Sequence, residues 1–122
     1  MNNVTISGKV WDPEIRYAAS GMCIATVNVS VYDGKDRDTQ KAKYFNIKVI
    51  AFKEQAELIG NSIVKGDRVI VSGRLSEEKW EKDGKTNRRT TLIAETIGKE
   101  LQVQKLADFG QFGSDVTDEM QY

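Results

Sequence analysis

Three stretches of this chain alternate apolar and polar residues with a period of two, as a strand with one buried face must. In Arg68-Val69-Ile70-Val71-Ser72-Gly73-Arg74-Leu75, Val69, Val71 and Leu75 share one parity, and Arg68, Ser72 and Arg74 share the other. From Tyr44 to Phe52, the run Phe45, Ile47, Val49, Ala51 is uniformly apolar and reads as the core phase. The opposite phase holds Tyr44, Asn46, Lys48, Ile50 and Phe52. From Ala25 to Tyr32, Ala25, Val27, Val29 and Val31 point one way, and Thr26, Asn28, Ser30 and Tyr32 the other.

The outward phases are the informative ones, because they carry large aromatic rings. If the strand holding Arg74 continues in register, Trp80 also points to solvent. A Trp left outside the core forgoes a large burial of apolar area, so an exposed one usually has a partner. An aromatic ring beside a guanidinium on a β-surface is a stacking platform for a nucleic-acid base. Two plainer readings compete with this one. A bulge before Trp80 would turn it inward, and these rings could pack under loops or in an oligomer interface.

A length of 122 residues suits one domain with its own core, and 39% hydrophobic with 30% charged residues suits a globular domain with a well-charged surface. There is no histidine, the acids fall in no metal-ligand spacing, and Cys23 is the single cysteine. The commonest general base and a disulfide within the chain are thereby excluded, and an enzyme, a metal site and a cofactor are not expected. Cys23 reads as a small core residue. No apolar run reaches membrane-spanning length and no basic leader opens the chain, so a cytoplasmic protein is expected. The zero net charge hides a partition. Lys9 to Lys105 holds all eighteen Lys and Arg with fourteen of the acids, net +4, whereas Asp108, Asp115, Asp118 and Glu119 leave the end at −4. A mildly basic body with an acidic tail suits a polyanion binder.

The pattern predicts strands over about 4–10, 22–32, 43–52, 68–75 and beyond, and 88–97, with residues 99–106 as a possible short edge strand. Trp11-Asp12-Pro13-Glu14 reads as a turn, because Pro13 has no amide to give a ladder, with Ile15 to Ala18 as an extension. Trp11 reads as a packing residue flanking it. Asp33 to Asp38 is a charged loop. Ala56, Ile59 and Ile63 recur at helical spacing and predict a helix over Lys53 to Ile63. Asp83-Gly84 is a hairpin signal. The expected fold is therefore mainly β: a five-stranded Greek-key barrel of the oligonucleotide-binding type, with one short helix between the third and fourth strands. Residues 1–106 form that domain, and 107–122 a flexible acidic tail.

Several stretches together resemble bacterial-type single-stranded DNA-binding proteins. They are Val4-Thr5-Ile6-Ser7-Gly8-Lys9-Val10 with Asp12-Pro13-Glu14-Ile15-Arg16-Tyr17 and Gly21; Tyr44-Phe45-Asn46 with Phe52 and Ala56-Glu57; and Lys65-Gly66-Asp67-Arg68-Val69-Ile70-Val71-Ser72-Gly73-Arg74-Leu75 with Lys79-Trp80. The resemblance covers about residues 1–103. It implies a barrel, usually four to an assembly, that coats single strands without sequence preference in replication, recombination and repair. It assigns base stacking to Trp80 and Phe52, and to one of Tyr44 or Phe45, where parity favours Tyr44. Arg16, Lys65 and Lys79 fall where the family has cations. Lys43, Lys48, Lys53, Arg74, Arg88 and Arg89 are further candidates for phosphate contacts.

Four features depart from the family pattern. Two extra residues lie between Asn46 and Phe52, which keeps the face but adds room for a bulge. The loop after the second strand lacks an aromatic. Glu78 stands where the family commonly has Arg. The tail ends Asp118-Glu119-Met120-Gln121-Tyr122 without the usual Pro, which weakens the expectation that it docks replication and repair proteins. These departures sustain a rival expectation, an adaptor barrel acting mainly through protein partners.

Overall fold

Two glycines decide how the strands close. The structure is a computed structural model and describes residues 1–101. Its elements are β1 (Val4–Tyr17), β2 (Cys23–Lys35), β3 (Ala42–Phe52), α1 (Glu54–Ser62), β4 (Arg68–Lys82) and β5 (Lys85–Lys99). They close into a barrel in the order β1-β2-β3-β5-β4. The first half of β1 pairs with β4, from Val4↔Gly73 to Lys9↔Arg68, and its second half pairs with β2, from Lys9↔Ser30 to Tyr17↔Cys23. Gly8 sits at the changeover, where a Cβ would collide with the Ser30 carbonyl oxygen. Gly73 marks the other corner, where β4 leaves β1, and a Cβ there would collide with the Ile93 carbonyl oxygen. Glycine lets two backbones approach this closely at a barrel corner. The parallel pair β3–β5, over Lys48↔Thr91 to Ile50↔Ile93, completes the circuit.

The inward phase makes the core. Val10, Ala25, Val27, Val29, Val49, Ala51, Val69, Val71 and Leu92 are fully buried or nearly so. Each buried Val or Leu side chain contributes about 1.5–3 kcal/mol by leaving water. Cys23 is buried among them, as expected for a small apolar residue. α1 joins the same cluster through Ala56, Ile59 and Ile63. Glu54 and Glu57 occupy its first turn, where carboxylates complement the helix dipole.

The structure corrects the expected elements at four places. First, Trp11-Asp12-Pro13-Glu14 is not a turn that ends a strand. β1 runs through it, and the register with β2 shifts between Trp11 and Glu14. Asp12 takes φ 48°, and Pro13 lies in the irregularity, where no ladder bond is demanded of it. Second, Phe45 is not in the core; it is 44% exposed. β3 pairs with β5 only from Lys48 onward. Phe45 lies beyond the last β1 pairing of β2, at Ser30, in a two-stranded extension of β2–β3 that leaves its ring partly open to solvent. Third, Leu75 is 37% exposed for the same reason, because β4 beyond Gly73 keeps only β5 as a neighbour. Fourth, β2 extends into the charged loop as far as Lys35. The turn that follows is tied by the Asp36 carboxylate, which accepts the amides of Thr39 at 3.1 Å and Asp38 at 2.8 Å. Those hydrogen bonds hold the Asp36 pKa below the usual carboxylate value.

Two features agree in finer detail. The pairing of β2 with β3 is unbroken from Ile24↔Phe52 to Tyr32↔Tyr44, so the extra residues of β3 lengthen it without a bulge. Asp83 and Gly84 both have positive φ, 55° and 75°, the geometry of a tight hairpin turn of the primed type. The shift between Ser72 and Gly73 leaves Glu95 of β5 as the unpaired residue, so β4 itself keeps its parity to Trp80. The Gln55 side chain of α1 donates to the Glu95 carbonyl, which ties the helix to that bulge. The expected edge strand beyond Lys99 falls largely outside the described residues, as do the tail 107–122 and the domain boundary at 106.

Candidate nucleic-acid interface

Cross-strand register builds the outer face row by row. One end carries Arg16↔Ile24↔Phe52 across β1, β2 and β3. The next row is Glu14↔Thr26↔Ile50↔Ile93↔Arg74, and the one after it Trp11↔Asn28↔Lys48↔Thr91↔Ser76. Lys9↔Ser30↔Asn46 follows, and Tyr32↔Tyr44 closes the far end. The β4–β5 hairpin continues beyond the barrel in that same direction. Glu78↔Arg89 and Trp80↔Asn87 lie two and four residues past Ser76 and share its face.

The rings of this face are accessible. Tyr44 is 61% exposed, Trp80 39% and Phe52 37%. Trp80, Tyr44 and Tyr32 lie toward one end, with Tyr32 and Tyr44 in edge contact at 5.9 Å between centroids. Phe52 stands at the other end of β3 from Tyr44, about 26 Å away along the strand. The rings therefore line a track and do not form one cluster. Ile24 is buried in the middle of the Phe52 row, whereas Ile70 stays 45% exposed.

The hairpin arm holds the densest charge. The Arg89 guanidinium lies 5.3 Å from the Trp80 ring centroid, a cation–π contact that orients both groups. Lys48 Nζ donates to both Glu78 carboxylate oxygens, at 3.1 and 3.2 Å. Glu78, the cross-strand neighbour of Arg89, thus pairs with Lys48, a cation that would otherwise face a phosphate. Lys48, Glu78, Lys79, Trp80, Lys82 and Arg89 line one open groove of about 450 Å³.

The remaining candidate cations divide. Lys79 and Arg88 are cross-strand partners on the other face of the hairpin, 3.7 and 3.8 Å from Glu77. Such exposed pairs are weak, so they neither stabilise much nor resist rearrangement. Arg16 shares the Phe52 row, Lys53 precedes α1 at φ 59°, and Arg74 pairs with Ile93. Lys43 has the parity of Phe45 on the β2–β3 extension, away from Tyr44. Lys65, in the α1–β4 loop, lies 5.3 Å from the Trp11 ring centroid. The tail residues Asp118, Glu119, Met120, Gln121 and Tyr122 lie outside the described residues. Among the described residues no cluster of His, Cys, Asp or Glu has the makings of a metal site, and no helix is long and apolar enough to cross a membrane.

The sequence reading missed Lys9 and Trp11 as members of this face and gave Tyr32 no role. The signal was present: Thr5, Ser7, Lys9 and Trp11 share the polar parity of the first strand. Pro13 masked it by suggesting that the strand ended before Trp11.

With this geometry in view, the chain can be set beside known proteins. The sequence model of the "Single-strand binding protein family" matches residues 1–102. The single-stranded DNA-binding protein of Aquifex aeolicus is 34% identical over 116 residues, covering 86% of this chain and 78% of that protein. That of Mycobacterium tuberculosis is 30% identical over 122 residues, covering 91% and 74%. That of Fusobacterium nucleatum is 29% identical over 102 residues, covering 80% and 65%. Among solved structures, the Plasmodium falciparum SSB complex with ssDNA superposes with a TM-score of 0.73 at 23% identity, over 83% of this chain and 96% of that one, so the barrel is shared. A family match across nearly the whole described barrel, joined to relatives at this identity and coverage, places the chain in the single-strand binding protein family.

Proposed function

We propose that this chain binds single-stranded DNA without sequence preference, stacking bases on Trp80, Tyr44 and Phe52 and neutralising phosphates with the cations between them. The observation that carries the reading is the outer face itself, where exposed rings and unburied cations follow one register from Arg16–Phe52 to Trp80–Arg89. Every base has a π-face, so stacking is indifferent to sequence and contributes about 1–3 kcal/mol per base. Phe45 is exposed beside Tyr44 on the opposite face and serves as a secondary platform. One barrel offers a short site, so tight binding to long strands requires several linked barrels. We take the working form to be the homotetramer usual in the family, cytoplasmic and engaged in replication, recombination and repair. Members of this family bind and do not catalyse, and we assign no enzymatic step.

The test is anisotropy of a labelled oligo-dT with the full chain. Binding resists competition by duplex DNA, and Trp80→Ala weakens it about fivefold or more. Trp80→Ala binding as tightly as the parent protein would overturn the stacking role.

One observation favours a second reading, the adaptor barrel. Glu78 occupies Lys48, and Glu77 stands beside Lys79 and Arg88, so three candidate cations are already paired. An adaptor would show no oligo-dT binding at low salt while still forming the oligomer.

A further inference from the structure

Trp11 is the one indole to which the family resemblance gives no role. It stands on the outer face in the row Trp11–Asn28–Lys48, with β2 and β3 between it and the Trp80 arm. Its ring is half-buried and carries two ammonium groups, Lys9 Nζ at 4.9 Å and Lys65 Nζ at 5.3 Å from the centroid. Neither lysine makes an ion pair among the described residues.

Two grooves meet at this ring. One, of about 540 Å³, is lined by Trp11, Asp12, Asn28, Ser30, Asn46 and Lys65. The other, of about 290 Å³, is lined by Lys9, Trp11, Ser30, Tyr32, Tyr44 and Arg68. Spaces of this order accept nucleotide-sized ligands. The second groove gathers Trp11 with the Tyr32–Tyr44 pair, so one surface holds three rings. Arg68 is engaged by Glu100 at 3.2 Å, so among the described residues Lys9 and Lys65 are the cations of these two grooves outside ion pairs. A lysine resting on a half-buried indole that still meets water is weakly held compared with a stacked base. An arriving base therefore displaces an ammonium, and that ammonium is then beside the phosphate it must neutralise. Asn28, Ser30 and Asn46 fill the floor between the rings with groups able to hydrogen-bond base edges.

We propose that Trp11, flanked by Lys9 and Lys65, is an additional nucleotide-stacking station that carries the single strand from the Tyr32–Tyr44 end of the face across β1. This rests on the single-strand-binding reading above. It goes beyond it in assigning a residue and a direction to the path.

The chain has two tryptophans, so each can be read alone. Trp80→Phe leaves Trp11 as the reporter, and Trp11→Phe leaves Trp80. Both variants of the full chain are titrated with oligo-dT to saturation, with binding followed independently by anisotropy of a labelled oligo-dT. The expected result is quenching of Trp11 emission at saturation and protection of the ring from acrylamide. Trp11→Ala is expected to weaken binding at least about fivefold, with Trp11→Tyr retaining most of the affinity. Replacing both Lys9 and Lys65 by Ala is expected to make the salt dependence shallower by up to about 1.4 in log–log slope. Unchanged Trp11 emission in saturated Trp80→Phe protein, with Trp80 quenched in Trp11→Phe, overturns the station and leaves single-strand binding standing. Absence of anisotropy change even for the unaltered chain overturns the functional reading, and the station with it. The fluorescence arm needs no Trp11 variant, so a folding defect in Trp11→Ala does not blunt it.

Discussion

Glu78 shows how a single residue sets the character of the face. Its carboxylate accepts from Lys48 Nζ with both oxygens and lies across from Arg89. Both side chains of the pair keep contact with water, at 24% and 39% exposure, so the pair adds little to folding stability. For a polyanion its effect is larger, because the approaching phosphate must compete with an anion already in place. Glu78→Gln should tighten single-strand binding and steepen the salt dependence by up to about 0.7 in slope, the share of one more neutralised phosphate. Thermal unfolding should barely move. A salt titration of the variant against the parent checks this, and an unchanged slope would show that Lys48 takes no part.

At the scale of elements, the outer face depends on two backbone devices that carry no functional group. Gly73 allows β4 to turn the barrel corner against the Ile93 carbonyl, and no side chain there has room. Gly73→Ala should lower stability by about 1–3 kcal/mol, the usual penalty for overpacking a tight site, read by urea unfolding. The hairpin turn is the second device. Gly84 has φ 75°, which an L side chain adopts at about 1–2 kcal/mol. Gly84→Ala should loosen the arm that holds Trp80 and Arg89 and weaken DNA binding more than it lowers the melting temperature, because the core lies elsewhere. Equal losses in both measurements would mean that arm and barrel unfold as one unit. The elements were legible where period two met a buried face: Val27, Val29, Val49, Val69 and Val71 all point inward as their parity requires. Phe45 and Leu75 were misread because parity says which side a residue faces, and the sequence does not say where the neighbouring strand stops.

At the scale of the molecule, charge and aromatic surface act together. Of the candidate phosphate contacts, Arg16, Lys43, Lys53, Lys65, Arg74 and Arg89 make no ion pair among the described residues. If every one meets a phosphate, the log–log salt slope is about −4 per barrel. The expected value is shallower than that, since Lys43 faces away from Tyr44, and stacking supplies the remainder of the affinity. A measured slope much steeper than −4 per barrel would contradict a face dominated by stacking. Alternation was enough to predict strands with aromatic rings in their outward phase, because the repeat of a strand is local; the barrel was read from the order of five strands and one helix. Asp83-Gly84 and the Ala56–Ile59–Ile63 spacing were equally local. The bulge after Trp11 that brings Glu14 and Arg16 onto the same outer face, the point where β3 gains β5, and the pairing of Glu78 with Lys48 were decided only by tertiary structure. Each depends on which strand lies alongside, and that is settled by closure of the whole barrel around its core.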